Sequence, residues 1–100
     1  MNQMQQMLMN AQRMQRELAK AKAAIAATEF PVSKNGMVNL VMMGDRTIKS
    51  LDIDNDALDP DNKEMLVETI RLALNEALET IEKAYDEAEE KVTGRGGGLF

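Results

Sequence analysis

"EFPVSKNGMVNLVMMGDRTIKSLDI", residues 29–53, contains three apolar runs separated by two turn signals, and its reading decides the fold. Lys34-Asn35-Gly36 is a hairpin signal, because a tight I′ turn needs positive φ at both central residues, which Asn and Gly tolerate. Gly44-Asp45-Arg46 marks the second turn. Strands are therefore expected at 29–33, 37–43 and 47–53. Phe30 and Val32 share one face of the first, and Pro31 removes a ladder donor, so that strand belongs at an edge. "MVNLVMM" (37–43) is apolar nearly throughout, as expected of a strand covered on both faces. In the third, Lys49, Leu51 and Ile53 alternate with Ile48, Ser50 and Asp52. The economical reading is a three-stranded antiparallel meander.

On either side lies a long helix. Met4, Met7, Ala11, Met14, Leu18, Ala21 and Ile25 recur at alternating spacings of 3 and 4, an a/d heptad seam, and no Gly or Pro interrupts residues 2–27. After the third strand, "DNDALDPDNKEM" (54–65) winds into a second helix predicted over 60–92. Asp59 before Pro60 suits an N-cap and first-turn pair, and Asp61 with Glu64 offers a capping box instead. Leu66, Ile70, Ala73, Leu74, Ala77, Leu78, Ile81, Ala84, Tyr85 and Ala88 form its broad apolar stripe. The fold class is thus α+β, an α-β-β-β-α protomer in one domain over 1–93, followed by a flexible glycine-rich tail at 94–100.

Composition narrows the chemistry. The 100 residues include no Cys and no His, which excludes disulfides, thiolate and imidazole catalysis, and Cys/His zinc sites. Ser33 and Ser50 have no base available, and no glycine-rich loop joins a strand to a helix. Asp52, Asp54 and Asp56 imitate the opening of a calcium loop, but its sixth position is Ala57 and its twelfth Lys63, where Gly and a bidentate Glu are required. No enzyme activity, cofactor, metal or small-molecule substrate is expected. The N-terminus lacks the pattern of a signal peptide, and no apolar segment approaches the ~20 residues of a membrane span. A cytoplasmic location is expected.

Charge and length say more. The net charge of -5 conceals a bipolar chain: residues 1–27 carry four basic groups and one acid, whereas residues 52–91 carry four basic groups and fourteen acids. A second helix of about 30 residues is ~45 Å long, while a compact 100-residue domain has a radius of gyration of only ~13 Å. Such a helix must project or lie on another chain, and a three-stranded sheet leaves open edges. A homodimer satisfies both conditions.

The basic groups near the start form a pattern. At 100° per residue, Arg13, Arg16 and Lys20 gather within about 60° of arc facing away from the heptad seam, and Lys22 flanks it. A row of cations on an exposed helix is suited to phosphate contact, and the same pattern also fits an ordinary solvated face. Lys34, Arg46 and Lys49, in or beside the sheet turns, are further candidate DNA-binding residues.

The order of parts resembles the YbaB/EbfC family of bacterial nucleoid-associated proteins over essentially the whole chain. The residues that carry the likeness are the Met/Gln-rich "MNQMQQMLMNAQRMQRELAKAK", then "NGMVNLVMMG", and most specifically "KSLDIDNDALDPDNKEMLVETI" (49–70). The resemblance implies a protomer that dimerises through its sheet, with helices projecting like the arms of tweezers, and binding of double-stranded DNA without strong sequence preference. It also implies that basic side chains of the first helix contact DNA, a role that falls here to Arg13, Arg16, Lys20 and Lys22. The short turn at Lys34-Asn35-Gly36 departs from a longer glycine-rich stretch in relatives, and Glu17 is the single acid on a helix that is more acidic in relatives. An alternative from another class is an interaction module that docks replication or recombination proteins along its long helices.

Overall fold

The computed structural model describes residues 2–94. The chain runs α1 (Gln3–Ala26), β1 (Glu29–Lys34), β2 (Val38–Met43), β3 (Ile48–Ile53), two 3-10 turns (Asn55–Leu58 and Pro60–Asn62) and α2 (Lys63–Thr93). The strands form one antiparallel sheet in the order β1-β2-β3, so the α-β-β-β-α meander is as expected. Beyond Gly94, the glycine-rich tail expected from the sequence lies outside the described residues.

Asn35 and Gly36 adopt φ of 56° and 65°, and the Met37 N–H donates to Lys34 O at 2.9 Å, which closes the first hairpin. β2 buries Val38, Leu40 and Met42, which with Val32 of β1 pack against Ala73, Ala77 and Ile81 of α2. Alanines under the helix let its backbone come close to the sheet, and Leu40 and Ile81 fill the space between. Each fully buried aliphatic side chain of this kind contributes about 1.5–3 kcal/mol. Thr69 is the one buried polar residue among those described: its hydroxyl donates to Met65 O at 2.8 Å and accepts from Asn35 Nδ2 at 3.4 Å.

Three details differ from the sequence reading. β2 is covered on one face only within the protomer, since Asn39 is exposed and Val41 and Met43 are half-buried on the other. β3 does not alternate simply. Val41 pairs with Ser50 and Met42 with Ile48, so Lys49 is the extra residue of a β-bulge. The bulge brings Ile48 onto the same face as Leu51 and Ile53, opposite Met42, Leu40 and Val38. α2 begins at Lys63, because Asp59 caps the preceding 3-10 turn by accepting from the Asp61 N–H at 2.9 Å. The Asp61–Glu64 capping box does not form; Asn62 precedes α2 without a side-chain cap. Asp54 likewise caps the first 3-10 turn, accepting from the Asp56 N–H.

α1 starts with a capping box that joins Asn2 and Gln5. Its seam is used over only half its length: Met14, Leu18, Ala21 and Ile25 are half-buried, whereas every residue from Asn2 to Arg13 is exposed. The molecule is accordingly elongated, 71 × 25 × 14 Å, with a radius of gyration of 19.8 Å against the ~13 Å of a compact chain of this length.

Candidate nucleic-acid interface

The direction of the α1 arm is set where it joins the sheet. Gly44, in the β2–β3 turn, lies against the last turn of α1, and a Cβ there would stand 1.8 Å from Ile25 O. Its N–H donates to Thr28 O at 2.9 Å, and Thr28 itself bonds back to α1 through its hydroxyl on Ala24 O at 2.7 Å. From the α2 side, the Tyr85 hydroxyl donates to Gly44 O at 2.9 Å. Arg46, in the left-handed region at φ 70°, places its guanidinium 5.1 Å from the Tyr85 ring centre and reaches Glu82 at 3.0 Å. The Asp45 carboxylate accepts from the Thr47 hydroxyl and N–H, which hold its pKa below the ordinary carboxylate value. That contribution to stability is complete above the ordinary value and is lost as pH falls through the lowered one. Sequence reading missed this joint. Gly44 registered only as a turn residue and Tyr85 only as part of an apolar stripe.

Tyr85→Phe isolates one bond in the joint. It keeps the ring under Arg46 and removes the donor to Gly44 O, so a loss of about 1 kcal/mol in denaturant unfolding is expected. No change in stability would show that the hydroxyl bond does not hold the turn.

Beyond the joint, α1 packs along the C-terminal half of α2. Ala21, Ala24 and Ile25 line a groove with Ala84, Ala88 and Val92 on one side of the helix pair. On the other side Lys22 lines a groove with Arg46, Glu82, Tyr85, Asp86 and Glu89.

The seven cations singled out in the sequence fall into two groups. Lys34 pairs with Glu76 at 2.5 Å, Arg46 with Glu82, and Lys49 with Glu29. These three tie β1, the β2–β3 turn and β3 to acids elsewhere in the fold. Arg13, Arg16, Lys20 and Lys22 are exposed on α1, and no ion pair engages them among the described residues. Arg13, Arg16 and Lys20 share the face turned away from α2, and Lys22 alone looks into a groove with acids. On α2, Arg71 donates to Glu68, which lowers the Glu68 pKa and raises that of Arg71. Acids of α2 line both grooves beside α1, Glu87 and Glu90 on one side and Glu82, Asp86 and Glu89 on the other, and neither groove includes Arg13, Arg16 or Lys20.

Comparison with known proteins gives a consistent result. Residues 1–96 match the YbaB/EbfC DNA-binding family. A nucleoid-associated protein of Enterococcus faecalis is 39% identical over 94 residues, 93% of this chain and 90% of that protein. The nucleoid-associated protein MARTH_orf159 of Metamycoplasma arthritidis is 38% identical over 86 residues, 86% of this chain and 90% of its own length. The nucleoid-associated protein LL0120 of Lactococcus lactis is 38% identical over 91 residues, 90% of this chain and 92% of that protein. Among the described residues no helix is long and apolar enough to cross a membrane.

Proposed function

The chain belongs to the YbaB/EbfC DNA-binding family, and on that premise we propose that it binds double-stranded DNA as a homodimer, with low sequence selectivity, through the cations of α1. Its place in the cell is then the cytoplasmic nucleoid, in keeping with the names of its relatives. The observation that carries the reading is the contrast between the two groups of cations. Those of the sheet are committed to ion pairs, and Arg13, Arg16 and Lys20 stand exposed and unpaired, among the described residues, on the face away from the acidic helix. Lys22 is a secondary contact in this account, and Lys34, Arg46 and Lys49, held by Glu76, Glu82 and Glu29, add only to the general positive field. Contacts to phosphate carry no base information, which accounts for low selectivity.

An electrophoretic-shift titration at two salt concentrations tests this. Phosphate contacts release counterions, so log affinity should fall steeply with log salt, and unrelated duplex sequences should give similar values. A slope near zero would favour the second reading, docking of other proteins along the long helices, which draws on the exposed Met4, Met7, Leu8 and Met9.

Dimerisation draws support from the β3 side of the sheet. α2 lies over β1 and β2, and Ile48 and Leu51 on β3 remain 51% and 44% exposed; Val67 and Leu78 of α2 are exposed as well. β3 is also an edge with unpaired backbone groups. An apolar strip beside an open edge suits a second protomer, and analytical ultracentrifugation at low micromolar concentration should give the mass of two chains. A folded monomer there would remove the homodimer from this account.

A further inference from the structure

We propose that the uncharged end of the α1 arm is a self-association surface, on which the arm of one molecule pairs with the arm of a neighbouring molecule along its open heptad seam. The inference rests on the DNA-binding reading for its biological setting, but its geometry is independent. The seam that packs on α2 through Met14, Leu18, Ala21 and Ile25 continues in register through Ala11, Met7 and Met4, beyond the part that α2 covers. Met4 and Met7 are 71% and 68% exposed. Eleven residues of helix, Gln3–Arg13, therefore extend for about 16 Å with an apolar stripe and no neighbour among the described residues.

Charge decides what suits that stripe. Residues 2–12, "NQMQQMLMNAQ", contain no ionisable side chain, and the cations begin only at Arg13. A tip made for phosphate would carry cations out to its end. A tip made of Met at seam positions and Gln or Asn around it offers an anion no cationic side chain and carries no side-chain charge that repels a second copy of itself. Unbranched Met side chains repack readily against one another, which tolerates imperfect register between two arms. A seam of three turns is too short to give a stable complex alone, below the ~1,000 Å² of a specific interface. Molecules held side by side on a duplex raise the effective concentration of arms, and a weak pairing then becomes occupied. The tip would link neighbours on DNA, and the cationic row behind it would hold the DNA.

The chain has no cysteine of its own, so single introduced thiols report single positions. Met7→Cys lies on the seam and Met9→Cys on the opposite face of the same helical segment. Each variant is treated with a short bismaleimide across a range of protein concentrations, without DNA and with a long duplex. Met7→Cys is expected to give at least about tenfold more cross-linked pairs than Met9→Cys, with a yield that rises with protein concentration and rises again on the long duplex. Equal yields from the two positions would overturn the proposal, and so would a yield independent of concentration, which would assign the seam to the two arms of one dimer. Met4→Gln/Met7→Gln provides the second reading. It should bind a short duplex like wild type and lose cooperative binding on the long one; retained cooperativity also overturns the proposal. Failure of the wild type to bind the short duplex would refute DNA binding, and the cross-linking without DNA would still decide the arm pairing.

Discussion

Replacing Arg13, Arg16 and Lys20 together by Gln is expected to lower duplex affinity by about 100-fold or more at low salt. Gln keeps helix propensity, and the three positions face away from the seam on α2, so helix content and dimer mass should barely change. The loss should be the same for all duplex sequences, because phosphate contacts do not read bases. The slope of log affinity against log salt should fall by about 0.9 for each lost contact, or ~2.7 for each arm that engages the DNA. Neutralising Lys83 and Lys91 on α2 is the control and should have little effect, since both stand among acids of that helix. Wild-type affinity and slope in the triple variant would reduce the row to a solvated face and leave the protein-docking reading in front.

The second large effect concerns the joint from which the arm leaves the sheet. Gly44→Ala should destabilise the protein by about 3 kcal/mol or more, measured by denaturant unfolding. The added carbon would overlap Ile25 O at 1.8 Å, and Ile25 C and the Ala26 Cα lie within 3.1 Å as well. These are backbone atoms, so no side-chain rotation relieves the clash. The helix must shift away from the turn, which breaks the Gly44 N–H bond to Thr28 and displaces the carbonyl that Tyr85 grips. A loss below 1 kcal/mol would mean that α1 does not approach the turn this closely.

Much of the fold was legible because its signals are local. The heptad spacing of α1, the Asn35-Gly36 turn and the apolar stripe of α2 each depend on residues within a few turns of one another. The bulge at Lys49 was not legible, since "IKSLDI" reads as an alternating strand whether or not one residue is left unpaired. The start of α2 was misread because Asp59 and Asp61 fit two caps equally well by sequence, and the 3-10 turn over Pro60–Asn62 takes the first. For the candidate site, the cationic row and its face could be read from helical geometry alone. That Lys34, Arg46 and Lys49 are held by Glu76, Glu82 and Glu29 could not, because these partners lie 42, 36 and 20 residues away in the chain. The close contact of Gly44 with Ile25 is a property of packing, and a turn glycine looks the same with or without it.

The central claim is that the α1 cations meet the DNA and those of the sheet do not carry the binding. Titrating a short duplex into isotopically labelled protein, with backbone amide shifts followed by nuclear magnetic resonance, tests it most directly. Saturable shifts should be concentrated between Arg13 and Lys22, with little change around Lys34, Lys49 and the acidic face of α2. Shifts centred on the sheet turns, with α1 unmoved, would contradict the account.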